Sequence, residues 1–221
     1  MKIIQHISFL ILVSVFFIQC KKNREPEPVT FSGTITDNVL GTPVANATIK
    51  IGLQQSATNS VFNTGYVTVE TVTTDANGYY SVTFEPENPI AYKISVEKDI
   101  YFSREVEVSA DIASAGTNTI NNFGIDPYGW FKINIKNITP NDAADNIIYQ
   151  NTSENSGCSS CCNNLPISLN GMTIDTFFIC KRTAHPNITF SWFVTKDGVM
   201  VPHTGSTTAI IGDTVEYNLN Y

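Results

Sequence analysis

The sequence predicts an all-β protein built as two tandem β-sandwiches behind a short apolar leader and a tether. Three observations carry that prediction. Thr, Val, Ile, Asn, Tyr and Phe dominate the chain, while helix-forming runs of Ala, Glu and Lys are almost absent. Beyond the tether no segment sustains an apolar period of 3.6 residues. Alternation with period two is common instead: Tyr92, Ile94 and Val96 alternate with Lys93, Ser95 and Glu97, and Phe131, Ile133 and Ile135 with Lys132, Asn134 and Lys136. Each such strand buries one face.

The elements follow in chain order. Residues 1–19 carry a positive charge at Lys2 and an uncharged apolar run over 7–18, directly before Cys20 and the pair Lys21-Lys22. The run is shorter than the roughly 20 residues needed to cross a bilayer. This arrangement resembles the leader of bacterial lipoproteins, with Gln19 in the place of the usual small residue and Phe17 in that of the usual Leu. The resemblance implies cleavage before Cys20, diacylglycerol on its thiol and usually an acyl chain on its new amino group. It places the chain in the bacterial cell envelope, lipid-anchored to a membrane, the outer membrane being the expected one. Residues 20–29 then form the lipidated cysteine and a charged, Pro-rich extended tether.

Strands are predicted over 29–36, 47–53, 66–74, 79–84, 92–96 and 102–108, and again over 131–135, 174–181, 188–195 and 215–221. Turn chemistry separates them at Asp37-Asn38, Asn77-Gly78, Asp197-Gly198 and Gly212-Asp213. Many short strands at such spacing read as sandwiches. The segment 124–129, with Pro127 between Gly124 and Gly129, reads as a strand-breaking boundary, giving a first module over 30–125 and a second over 126–221.

Within the first module, Phe31-Ser-Gly-Thr-Ile-Thr-Asp37, Gly41-Thr-Pro-Val-Ala-Asn-Ala-Thr-Ile49, Thr74-Asp-Ala-Asn-Gly-Tyr-Tyr80 and Tyr92-Lys-Ile-Ser-Val96 fall in an order that resembles the carboxypeptidase regulatory-like domain. That resemblance implies a transthyretin-like sandwich of seven strands with no catalytic residues, serving as a spacer or docking piece. Residue by residue, Gly41 and Pro43 fix a bend, Ala47 is small where two sheets approach, and Asn77-Gly78 suits a hairpin turn whose following Tyr79 or Tyr80 enters the core. Asp75 and Asn77 also suggest a calcium loop, but Tyr79, Ser81 and Thr83 stand where its later acidic ligands belong. A pilin-type Lys–Asn isopeptide bond beside Glu97 is discounted, because the first strand has no lysine.

The second module is distinguished by a Ser/Asn/Gly/Cys-rich stretch over 151–165 with Cys158, Cys161 and Cys162, and by Cys180 in a later strand. Four cysteines suit either a zinc site or two disulfides, and an exported chain meets conditions in which disulfides persist. The pairing preferred is Cys161 or Cys162 with Cys180, closing a loop of about 20 residues worth roughly 3 kcal/mol. A redox-active Cys158-x-x-Cys161 lacks the βαβ setting such motifs use.

No catalytic residues, metal or cofactor are assigned. Beyond the leader the only histidines are His185, expected in a turn, and His203, expected at an exposed strand end; no nucleophile elbow, metalloprotease helix or phosphate loop accompanies them. The formal charge is -7, and loss of Lys2 with residues 1–19 leaves 12 basic against 20 acidic residues. Nucleic acid is therefore excluded as a partner. Trp192, within a strand, reads as core. Tyr128 and Trp130, at the module boundary where a cleft can form, are the candidate ligand-binding residues. The function expected is that of a non-catalytic binding or scaffold module for an envelope partner protein, with carbohydrate binding as the alternative.

Overall fold

The computed structural model of the protein describes residues 28–55, 65–113, 116, 118–154, 164–185 and 187–221. Among the described residues the chain forms strands and turns without a helix, so no helix there is long and apolar enough to cross a membrane. The strands are β1 (Val29–Asp37), β2 (Thr48–Gln55), β3 (Val67–Thr73), β4 (Tyr79–Phe84), β5 (Pro89–Glu97), β6 (Arg104–Ser109), β7 (Asn118–Ile120), β8 (Phe123–Ile125), β9 (Tyr128–Lys136), β10 (Asn146–Asn151), β11 (Ile167–Asn170), β12 (Asp175–Thr183), β13 (Asn187–Lys196), β14 (Val199–Thr208) and β15 (Thr214–Asn220).

Four sheets result, and they enclose two hydrophobic cores. In the N-terminal half β4-β1-β7, with β8 also on β1, faces β3-β2-β5-β6. Phe31, Ile35, Ile49, Ile51, Tyr80, Tyr92 and Ile94 fill the space between them, none more than 1% exposed. Full burial of such side chains is worth about 1.5–3 kcal/mol each. Strands β7 and β8 both run parallel to β1, along Thr30–Ser32 and Ile35–Asp37 respectively, so they form one interrupted lane and the half has seven lanes. At the interruption the Asn121 carbonyl swings toward β1. A Cβ on Gly33 would stand 1.8 Å from that oxygen, and only glycine fits. Tyr80 closes the site by donating its hydroxyl to the same oxygen at 3.0 Å.

The Asn77-Gly78 turn is the first departure from expectation. It joins β3 to β4, which lie in opposite sheets, and is a corner rather than a hairpin. Asp75 explains it: its Oδ1 accepts the backbone N–H of Asn77 and of Tyr79, each at 2.8 Å, so the carboxylate serves the turn. Tyr80 then enters the core while Tyr79 stays 46% exposed.

In the C-terminal half β11-β10-β13-β14 faces β12-β9-β15. Phe131, Ile133, Ile135, Ile147, Tyr149, Ile188 and Phe190 form its core, and Trp192 packs on it with its ring stacked on Phe190. The strand break read over 124–129 is present but narrower than expected. Gly124 lies in β8 and Gly129 in β9, leaving Asp126 and Pro127 between the strands. Gly129 is needed because a Cβ there would meet the Ile210 carbonyl at 2.0 Å. His203 lies inside β14 rather than at a strand end, stacked on Trp192, and His185 sits in a turn at φ 72°.

Two buried charged groups brace this half. Arg182 is 2% exposed, and its Nη2 donates to the Ser153 carbonyl and hydroxyl and to the Glu154 carbonyl. Asp145 is fully buried and accepts the Asn141 N–H at 2.9 Å and the Asn137 amide at 2.8 Å, with the Lys196 ammonium 3.8 Å away. These contacts, the Asn141 N–H foremost, hold its carboxyl below the ordinary value of 3.8. A depressed native value means that the stabilisation is complete above pH 3.8 and lost as pH falls through the native pKa. The near-UV signal of Trp192 is therefore expected to melt more easily in acid below pH 3.8. Asp145→Asn should lower stability at neutral pH and weaken that acid dependence, as denaturant titrations at several pH values will show.

Candidate binding site at the junction of the two sandwiches

The segment between β5 and β6 builds the junction. Ile100 takes φ 63°, a conformation that costs a β-branched residue of order 1–3 kcal/mol. The unusual geometry has a use. The Ile100 carbonyl accepts the N–H of Tyr128 at 2.8 Å, the N–H of Phe102 donates to the Asp126 carbonyl at 2.9 Å, and Tyr101 bridges to Pro127 between them. The Ile100 side chain lies over Gly212 in the turn before β15. Asn38 adds a side-chain bond to Asp126 at 3.0 Å.

Tyr101 fixes this segment to the N-terminal half. Its hydroxyl donates to Oδ2 of Asp37 at 3.0 Å, while Oδ1 of the same buried carboxylate accepts the N–H groups of Val39 and Leu40. Burial, and then the bond to Asp37, push the Tyr101 phenol up to about 12.

Between the halves lies an open groove of about 460 Å³, within the roughly 300–1,000 Å³ typical of small-ligand sites. Its aromatic wall is Tyr101, Phe102 and Tyr128; Asn46, Thr48 and Ser103 supply uncharged polar groups; Glu97, Asp99, Lys98 and Lys181 supply charges of both signs. Glu97 is already held by Lys50 at 2.7 Å across the β2–β5 pair.

Of the two rings singled out in the sequence, Tyr128 lines the groove and Trp130 does not. Tyr128 packs against Phe102 at 5.2 Å and takes the edge-on Trp130 ring at 5.2 Å. The Lys181 ammonium lies 4.2 Å from the Tyr128 centroid and 5.8 Å from that of Trp130. Trp130 thus supports Tyr128 from outside the groove. Phe102 and Lys181 escaped sequence reasoning. The sequence pattern places Phe102 at the start of a strand over 102–108, whereas β6 begins at Arg104 and frees the residue to reach the segment between β8 and β9. Lys181 is the last residue of the strand expected over 174–181, and only the β9–β12 register, Trp130 opposite Lys181, brings it to the rings.

The cysteines are placed only in part. Cys180 stands in β12, half-buried. Cys20, Cys158, Cys161 and Cys162 lie outside the described residues, as do the leader and the tether as far as residue 27; Val29, read as the end of the tether, is instead the buried first residue of β1. Among the described residues no group of three or more His, Cys, Asp or Glu is placed to hold a metal ion.

A second surface lies at the far end of the same half. The β13–β14 hairpin turns at Asp197-Gly198, and its register sets Val199 and Val201 on the face that carries Ile188 and Phe190 toward the core. They nevertheless remain 63% and 45% exposed, so the hairpin tip overhangs the opposing sheet. Met200 (55%) and Phe193 (38%) are exposed on its other face.

No protein-family model matches the chain, and no curated protein matches it. It is similar in structure to the Bacillus anthracis TIE protein, at 12% identity over 88% of this chain and 34% of that one, with a TM-score of 0.37. Catechol 1,2-dioxygenase from Acinetobacter, inhibited by bound mercury, is similar at 12% identity over 49% of this chain and 55% of that one, TM-score 0.36. A DUF3823 family protein from Bacteroides uniformis is similar at 8% identity over 84% of this chain and all of that one, TM-score 0.31. The chain spans about a third to a half of the length of the first two. At these scores no property of those proteins passes to this one.

Because the Tyr101 phenol is raised, its bond to Asp37 contributes stability that is complete below pH 10.0 and lost as pH rises through about 12. Tyr101→Phe is expected to cost about 1.5 kcal/mol at neutral pH. The difference from the parent should shrink toward pH 12, as paired denaturant melts will test.

Proposed function

We propose that the protein is a lipid-anchored bacterial envelope protein that binds a partner protein and performs no catalysis. The observation that carries the binding reading is the β13–β14 tip, where Val199 and Val201 stand exposed on one face and Met200 and Phe193 on the other. Contiguous uncovered apolar side chains of this kind mark interaction surfaces on soluble domains. Between Val199 and Gly212 the chain carries His203 but no Asp, Glu, Lys or Arg, which favours an apolar contact over electrostatic recognition.

Anchoring rests on the sequence around Cys20, whose acyl chains would each bury about 0.8 kcal/mol per CH2 group. The N-terminal half is read as a carboxypeptidase regulatory-like sandwich. The seven lanes of its two sheets and the motifs at Phe31, Gly41 and Asp75 support that reading. In the C-terminal half a disulfide is assigned between Cys180 and Cys161 or Cys162, which would tie the Cys-rich stretch to β12 next to the Arg182 clamp on Ser153 and Glu154.

Three results are expected. Cys20→Ala protein should move from the membrane pellet to the soluble fraction; retention in the pellet would sink the anchor. In-envelope crosslinking should trap a discrete protein whose yield falls about tenfold, equal to about 1.4 kcal/mol, in the Val199→Asp/Val201→Asp double variant. Equal yield from both forms would remove the hairpin as the docking surface. Non-reducing peptide mapping should link Cys180 to the peptide holding Cys161 and Cys162, and four free thiols would refute the pairing.

A further inference from the structure

We infer that the junction groove is a binding site for a short neutral oligosaccharide. This goes beyond the hairpin reading and stands apart from it, since the groove and the β13–β14 tip share no residue. It narrows the carbohydrate alternative, first raised from Tyr128 and Trp130, to one place and one ligand class.

Three observations carry it. The first is the lining. Sugar hydroxyls both donate and accept, and the groove offers both kinds of partner around an aromatic wall. Asn46, Thr48 and Ser103 do either, Lys98 and Lys181 donate, and Asp99 accepts. The second is charge. Two ammonium groups face two carboxylates, and Glu97 is already engaged by Lys50. No cluster of one sign exists there to select a phosphate or a polyanion, and the chain's net charge of -7 opposes an anion further. An entirely apolar ligand is disfavoured for the opposite reason, since it would leave these groups desolvated and unpaired.

The third is preorganisation. The reciprocal backbone bonds of Ile100 and Phe102 with Tyr128 and Asp126, and the Tyr101–Asp37 bond, hold the wall in place before any ligand arrives. A rigid wall avoids the ordering cost that weakens binding. The Tyr128 ring is already engaged, by the tilted Phe102 ring at 5.2 Å and by the Lys181 ammonium 4.2 Å from its centroid. The sugar therefore lies against Phe102 and the rim of Tyr128, with Lys181 donating to a hydroxyl from above the ring rather than yielding the ring to a stacking pyranose.

The test uses the full chain, 15N-labelled and extracted in detergent, titrated with cellotriose, maltotriose and triacetylchitotriose to about 10 mM, which reaches millimolar Kd values. At least one trisaccharide should give saturable shifts at the amides of Lys98, Phe102, Ser103 and Lys181. Lys181→Ala and Thr48→Val should each raise the Kd at least about fivefold with the rest of the spectrum unchanged, while Val199→Asp/Val201→Asp leaves it the same. Absence of saturable shifts with all three sugars would overturn the inference, as would shifts confined to residues outside the groove. Tighter binding of a sulfated trisaccharide than of its neutral parent would overturn the assignment of ligand class.

Discussion

Two hydrogen bonds hold the functional geometry together: Tyr128 N–H to the Ile100 carbonyl and Phe102 N–H to the Asp126 carbonyl. Each sandwich has its own core, and among the described residues no strand of one pairs with a strand of the other; the Tyr101–Pro127 bridge joins segments that lie between strands. Without this exchange the groove would have one wall. Ile100 accepts an unfavourable φ to make it, and Gly212 leaves room for the Ile100 side chain. Strain of this kind persists only where its surroundings over-determine it, here by Tyr101 on Asp37 from one side and Tyr128 from the other.

Inside each half the governing constraint is close backbone approach. At Gly33 the interrupted β7–β8 lane presses the Asn121 carbonyl onto β1, and at Gly129 the Ile210 carbonyl presses onto β9. Both are places where the chain needs the absence of a side chain more than the packing one would bring. The buried charges do a complementary task. Asp145 gathers the N–H groups of the β9–β10 connection, and Arg182 gathers the carbonyls that follow β10, so that these loop polar groups find partners within the protein.

The two candidate surfaces differ in physical character. The groove is polar, mixed in charge and walled by fixed rings, which suits a ligand rich in hydroxyls. The hairpin tip is apolar and uncovered, which suits a protein. Lys181 belongs to the first through the β9–β12 register, and Val201 to the second through the β13–β14 register.

Sequence alone determined the all-β class, because period-two alternation and turn chemistry are local properties that a strand must satisfy wherever it lies. It located β9, β12 and β13 closely, and it gave the corner at Asp75 its turn, though not its role. Strands β7, β8 and β11 were missed because three or four residues show no clear alternation, and β10 and β14 because their apolar residues run consecutively, Ile147-Ile148-Tyr149 and Val199-Met200-Val201, so that their strand state shows only in the ladder they join. Tyr128 was legible as a boundary aromatic. Its partners Phe102 and Lys181 were not, since they lie 26 positions before it and 53 after it. Only the tertiary structure decided that meeting, because register and the Ile100 bracket are long-range hydrogen-bond choices that leave no periodic trace in the chain.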